Sequence, residues 1–549
     1  MKVKIEVWTL ATIVFLALFA ICLIYPMFGI LRQSVVSPDG SITFREFHKF
    51  FSQPYYSRTI LNSFRVSFSI MLVSLLLGIP ISYFYSFYQL KGAKLLFVVS
   101  ILCCMSAPFI GAYSWILLLG RSGVITQFFR NFLGIHLRSI YGFRGILLVQ
   151  SLKLFPMVFV YMNGAFKSID NSLMEASASM SCVGINRFFK IVMRLSMPTI
   201  LAAALIVFMQ AFADFGTPLI IGEGFRTFPV EIYNQYLGEH GRNYNFAAAI
   251  SVIAIIVTAV VFLAQKWGTN LFKFSISALY PISRKKPRGI AGFLMYVYCY
   301  ALVAIAFLPQ VYVIYLSFRN SNQGVFLPGF SMASYVMAVE KLLVRSIQNT
   351  IILGVGSLTV IIVFAILIAY LVVRRSSFLN NTIDTMSMLP YIIPGSVIGI
   401  ALVIAFGRPP FGLTGTIAIM LLALVIRRLP YTLRSATASL MQIPISIEEA
   451  AISLGASKMK TFVKITAPMM SNGVISGAIL SWIAIITELA SAIILYNNRN
   501  ITLTMSAYVA ISRGNYGLAA AFSAILTVVT IVSLVVYLMI SKSEDIRLG

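Results

Sequence analysis

The sequence predicts an all-α integral membrane protein with twelve transmembrane helices, arranged as two tandem six-helix repeats. Three observations carry this. Hydrophobic residues make up 59% of the chain and charged residues only 11%, with a mean hydropathy of +0.91; so apolar a chain takes lipid as its solvent. Apolar runs of roughly 20 residues, the length that crosses a hydrocarbon core, recur from end to end. The chain also repeats itself. A shift of 274 positions lays Pro156 on Pro430, Ile169 on Ile443, Glu175 on Glu449, Ala176 on Ala450, Phe188 on Phe462, Lys190 on Lys464 and Asp214 on Glu488 without a gap. A constant offset over about sixty residues marks an internal duplication.

The chain opens on Lys2 and Lys4 and an apolar run from about Val7 to Ile30. That run is too long for a signal peptide, has no clear small-residue cleavage site and is followed by further spans, so it is predicted as the first helix. The segment from Leu31 to Leu61 is polar, with Gly40 and Pro54 as turn signals. Spans two to six are expected at about Asn62–Tyr88, Ala93–Leu119, Gly145–Phe166, Thr199–Ile221 and Ala247–Lys266. The most basic linker of the chain follows, Ser283 to Arg288 (SRKKPR), and divides a first half, 1–282, from a second, 290–549, with 283–289 between. The second half repeats the scheme at about Gly292–Phe318, Asn349–Val373, Ile383–Phe406, Thr414–Met441, Met469–Leu495 and Leu518–Ile540.

The formal charge of +26 would suit a nucleic-acid binder, but the Lys and Arg residues sit in short loops between spans. There they orient a membrane protein, and no nucleic-acid partner is expected. They lean modestly toward the predicted inner side, and the basic linker with the first residues puts both termini in the cytoplasm. The five cysteines show no CxxC spacing and read as buried, inert thiols. His48, His136 and His240 lie far apart in predicted outer loops, and no His/Cys/carboxylate spacing suggests a metal site. No G-x-x-x-x-G-K-[ST], GxSxG or HExxH occurs, so no catalytic residue and no nucleotide or other cofactor is expected in this chain.

The informative loop is Pro444–Asn472, PISIEEAAISLGASKMKTFVKITAPMMSN, between two apolar segments. EEAAISL favours a short helix, Gly455 ends it because glycine takes positive φ cheaply, and Lys458–Thr466 forms a second helical run before Pro468. Helix, glycine hinge and helix make a rigid knob that another protein can grip. The first copy, at about 168–198, departs from it: Ser177 replaces the second alanine, Ser181 stands at the glycine position and Arg194 at the place of Pro468. A different bend is therefore expected in the first loop.

EEAAISLGASKMKTFVKITAP resembles the EAA loop of type I ABC importer permeases, and with both copies the chain looks like two such permeases fused head to tail. The resemblance implies that each loop is a coupling helix docking into a groove of a cytoplasmic ATPase, with Glu448, Glu449, Ala450, Ala451 and Gly455 in the second loop and Glu175, Ala176 and Ser181 in the first. It further implies two ATPase copies holding ATP and Mg, an extracytoplasmic solute-binding protein docking on loops such as Gly222–Asn245 and Asn497–Tyr516, and a bacterial inner membrane. ADFGTPLIIGEGF, FPVEIY, ELASAIILY and RRLPYTLRSATASL are similar to fused permeases of ferric-iron importers. Permeases for thiamine, phosphonates, sugar phosphates and polyamines share some of this texture, and a gradient-driven transporter of parallel repeats would explain the duplication but not the two matched loops.

Ionisable groups inside spans are costly and are usually functional or paired. Lys153 and Arg427 stand three residues before the equivalent prolines Pro156 and Pro430, and Asp214 and Glu488 are equivalent in the following spans. The expectation is that Lys153 pairs with Asp214 and Arg427 with Glu488, giving a polar ring on the substrate pathway. Buried pairs that only fix helix register, or basic groups that snorkel to the surface, remain the alternative. Basic groups there fit a bare Fe(III) ion poorly and suit an anion, or iron with an anionic ligand. Gly395 and Gly399, with Gly473 and Gly477, form two small-xxx-small pairs expected at close helix contacts.

Overall fold

A computed structural model describes residues 7–37, 39–238, 243–271, 280, 282–322 and 324–541; Lys2, Lys4 and His240 lie outside the described residues. The first half contributes α1 (Val7–Val35), α2 (Pro54–Phe87), α3 (Ala93–Met105), α4 (Pro108–Leu119), α5 (Phe143–Lys167), α6 (Asn171–Ser179), α7 (Met197–Phe212) and α8 (Tyr244–Leu271). The second contributes α9 (Gly289–Ser317), α10 (Leu343–Arg374), α11 (Phe378–Ile392), α12 (Gly395–Phe406), α13 (Ile417–Met441), α14 (Ile445–Ser453), α15 (Ser471–Ile486) and α16 (Tyr516–Ser541). A small antiparallel hairpin, β1 (Arg319–Asn322) with β2 (Val325–Phe330), follows α9 and pairs Arg319 with Phe330 and Asn322 with Val325.

Among the described residues, eight helices are long and apolar enough to cross a membrane, or eleven if each bent pair is one span. The one predicted span outside that count, Thr414–Met441, corresponds to α13. Its 25 residues reach about 37 Å at 1.5 Å per residue, but Arg427, Arg428 and Arg434 keep it out of the apolar count. The breaks have local causes. Pro108 and Pro394 stand at the interruptions between α3 and α4 and between α11 and α12, where the ring excludes the helical hydrogen bond; the second pair bends by 111°. Spans predicted to run through Asp214 and Glu488 stop instead at Phe212 and Ile486.

Within each half the helices approach closely where side chains are small. Gly477 of α15 faces α13, where a Cβ would lie 2.7 Å from the Cα of Thr432, and Gly473 packs against Ser439 of the same helix. Ser435 Oγ donates across that contact to the Gly473 carbonyl at 2.7 Å. In the first half, Ser82 and Ser86 of α2 donate to the Phe159 carbonyl (3.2 Å) and to Asn163 Oδ1 (3.0 Å) of α5. In lipid such bonds satisfy polar groups that water cannot reach.

The halves exchange their first helices. α1 packs on α11 and α12 of the second half, and α9 packs on α3 and α4 of the first. Trp8 of α1 lies 4.5 Å from the Tyr370 ring and 5.1 Å from the Phe462 ring, so the beginning of the chain touches the loop that follows α14. The basic linker is pinned rather than loose: Lys285 exchanges backbone hydrogen bonds with Phe87 and Gln89 at the end of α2, each at 2.9 Å.

Candidate functional site

The two knobs close with the same turn. In the second, Gly455 has φ +87°; its N–H donates to the Ile452 carbonyl at 2.9 Å, and that of Ala456 to the Ala451 carbonyl at 3.0 Å. In the first, Ser181 takes φ +58°, with Ser181 donating to Ala178 and Cys182 to Ser177, both at 2.9 Å. These are the paired bonds of a Schellman C-cap. The serine was expected to change the bend. It does not, because the hydrogen bonds hold the left-handed conformation against its steric cost. A π-helical turn then follows in each loop, Phe188–Val192 and Phe462–Thr466, at equivalent positions.

What anchors each knob differs. Glu448, the first glutamate of the motif, is buried and receives Arg374 Nε on Oε1 at 2.8 Å, while Arg374 Nη2 donates to the Ile443 carbonyl at 2.7 Å. Glu449, Ala450 and Gly455 are exposed and Ala451 is buried. At the place of Glu448 the first loop has Met174, also buried. That loop is strapped instead by the linker: Asn171 N–H donates to the Tyr280 carbonyl at 3.0 Å, and Ser283 N–H to Asn171 Oδ1 at 3.2 Å. Asn171 Nδ2 also holds Glu175 Oε1 at 2.7 Å; Glu175 and Ala176 are exposed. At the tips, Met180 is 82% and Leu454 89% exposed. They are equivalent positions, and both leave a large apolar side chain bare at the end of a polar loop.

Between the halves lies a cavity of about 280 Å³ whose wall includes Lys153 of α5, Asp214 beyond α7, Tyr391 of α11, Arg427 and Arg428 of α13 and Glu488 beyond α15. The helix breaks make this wall polar. Chain leaving α7 and α15 turns sharply, and a carboxylate caps each turn. Asp214 Oδ2 accepts the Thr217 N–H at 3.1 Å, and Glu488 Oε1 accepts the Ser491 N–H at 3.0 Å and its hydroxyl at 3.1 Å. Thr217 and Ser491 are again 274 apart.

The four predicted pathway residues all line this one cavity. Arg427 Nη1 bonds Glu488 Oε1, and Arg428 Nη2 bonds Glu488 Oε2. Lys153 makes no such bond to Asp214: the second contact to Asp214 Oδ2 comes from Gln150 Nε2 at 2.6 Å, one turn earlier on α5. Among the described residues Lys153 has neither a hydrogen bond nor an ion pair. Arg428, Gln150 and the bond across the halves from Gln210 Nε2 to the Tyr391 hydroxyl (3.1 Å) escaped the sequence reading. Arg428 was visible beside Arg427, but the repeat places Leu154 opposite it, so a search for positions charged in both halves passes it by.

Gly395 is where this wall tolerates no side chain. A Cβ there would stand 2.5 Å from Arg427 Nη1 and 2.7 Å from Ala490 Cβ. Gly399, one turn on, faces Ile494 at 2.9 Å. The guanidinium of Arg427 thus rests against the first turn of α12.

Comparison with known proteins agrees with this architecture. The family described as binding-protein-dependent transport system inner membrane component matches twice, over residues 67–270 and 361–543. A ferric transport system permease protein of Actinobacillus pleuropneumoniae is 30% identical over 87% of this chain and 70% of its own length. An Fe(3+)-transport system permease protein of Haemophilus influenzae is 22% identical over 94% of this chain and 95% of its own. A molybdate/tungstate transport system permease protein of Pyrococcus furiosus is 28% identical over 37% of this chain and 78% of its own. Two family matches that together take in well over half of the chain establish membership: this multi-pass membrane protein belongs to the inner membrane components of binding-protein-dependent transport systems, as a permease of the ABC importer class.

Proposed function

We propose that this chain is the transmembrane permease of an ATP-driven, binding-protein-dependent importer of ferric iron in a bacterial cytoplasmic membrane. The observation that carries the mechanical part is the pair of knobs: two loops at a constant offset, closed by the same turn, each with a bare apolar tip at Met180 or Leu454. Exposed apolar side chains on a rigid turn are what a protein partner grips. Two copies of a cytoplasmic ABC ATPase, which would hold the ATP and Mg, fit the two knobs. An extracytoplasmic solute-binding protein would deliver the cargo on the opposite face, and both termini would lie in the cytoplasm.

In this reading ATP-driven closure of the ATPases moves both knobs together, and the halves rock about the cavity to expose it to each side in turn. The exchanged helices α1 and α9 let each half feel the other's movement, with Trp8 touching Phe462 as the most direct link. The chain does no covalent chemistry of its own. The choice of ferric iron rests on the two iron-transport relatives, which align with most of this chain.

The test is reconstitution. Co-expression with its ATPase should give a complex that imports iron into proteoliposomes only when ATP and the iron-loaded binding protein are both supplied. Import driven by an ion gradient without ATP would remove this reading.

A further inference from the structure

The charge on the cavity wall does not balance. Lys153, Arg427 and Arg428 stand against Asp214 and Glu488, and both oxygens of Glu488 and the Oδ2 of Asp214 are already bonded. Glu488 takes both arginines and Ser491, and Asp214 takes Gln150 and the Thr217 N–H. Lys153 has no hydrogen bond or ion pair among the described residues, and the Nε atoms of Arg427 and Arg428 are buried without a partner. A network that served only to fix helix register would be expected to satisfy its members, since unpaired buried polar groups are expensive.

The backbone adds field of the same sign. α4 begins at Pro108 on the cavity wall, and α12 begins at Gly395 against Arg427. Each is a 12-residue helix whose N-terminus carries a partial positive charge. N-terminal ends of interrupted helices are suited to anionic groups. At about 280 Å³ the space lies near the lower end of ligand pockets, which run from about 300 to 1,000 Å³, and admits a small anion.

We infer that the cavity is an anion-binding site that takes a small oxygen-rich anion of the carboxylate or phosphate type, with Lys153 as its free charge partner, and that a trivalent metal ion passes it only with such an anion attached. This rests on the importer reading above, because it names the form in which cargo crosses. A bare cation would face three positive side chains against two carboxylates, of which Glu488 already has both oxygens bonded to arginines. An anion completes the charge on Lys153, which lines the cavity.

The test uses the full chain in lipid nanodiscs, titrated with sodium citrate, sodium phosphate, ferric citrate and, as a bare trivalent cation, lanthanum chloride. At least one of the oxygen-rich anions should bind. Lys153→Met should weaken that binding tenfold or more, Lys153→Arg should retain it within about threefold, and lanthanum should not bind. Tighter binding of ferric citrate than of citrate identifies the anion as iron's companion; equal or weaker binding identifies the anion itself as the cargo, and either supports the site. Lanthanum binding in the absence of anion binding overturns the inference, as does anion affinity unchanged in Lys153→Met. The importer reading fails separately: gradient-driven uptake with Lys153-dependent anion binding removes that reading alone, and ATP-driven iron uptake with no anion binding removes this inference alone.

Discussion

Arg374 and Glu448 form a buried ion pair, with Arg374 Nε 2.8 Å from Glu448 Oε1, that ties the second knob to the end of α10. The same guanidinium satisfies the Ile443 carbonyl, so it closes the loop at two points. Removing one partner of a buried pair costs about 3–5 kcal/mol because the other charge is left stranded. Glu448→Ala should therefore lower the thermal midpoint of the purified protein and abolish stimulation of the partner ATPase. Arg374→Met combined with Glu448→Met, which copies the apolar Met174 of the first loop, should recover most of the midpoint. A double variant no more stable than Glu448→Ala would show that the pair is not what holds the loop.

The first knob stores strain at Ser181, whose φ of +58° is costly for a residue with a Cβ, by about 1–2 kcal/mol. Ser181→Gly should stabilise that turn by about 1 kcal/mol after glycine's own entropic cost. Gly455→Ser should destabilise the second by a similar amount. Hydrogen exchange of the amides at Ser181 and Cys182, and at Gly455 and Ala456, reads both changes, protection rising in the first case and falling in the second.

The tips can be separated from the fold. Met180 and Leu454 are almost fully exposed, so Met180→Asp and Leu454→Asp should leave the protein's stability within about 0.5 kcal/mol of the parent's, as surface changes do. Each should nevertheless weaken co-purification of the ATPase at least tenfold. Unchanged ATPase capture by the double variant would place the grip elsewhere.

At Gly395 there is no room for a methyl group: the added carbon would meet Arg427 Nη1 at 2.5 Å. Gly395→Ala should push Arg427 away from Glu488 and reduce transport about tenfold, although alanine favours a helix. Gly164, in α5, has nothing within 4 Å of its would-be Cβ, so Gly164→Ala should be neutral or stabilise by up to about 1 kcal/mol. Transport rates of the two variants, normalised to inserted protein, check the contrast.

By itself the sequence determined the lipid environment, the duplication and the residues of both knobs, because each is written in a local or periodic signal. Apolar length sets a span, a constant offset reveals a repeat, and EEAAISLG is contiguous. The same offset located Asp214 and Glu488, and both do line one cavity. What only the tertiary structure decided are matters of direction and of distant neighbours. The helices end at Phe212 and Ile486 rather than running through the carboxylates, and no composition rule marks those stops. Arg428 shares Glu488 with Arg427, and Gln150 reaches Asp214 where Lys153 was expected. The linker straps the first knob while Arg374 clamps the second. These contacts join residues between 60 and 112 positions apart. Which of two neighbouring side chains makes such a contact depends on helix rotation and crossing, and those are settled only when the whole bundle packs.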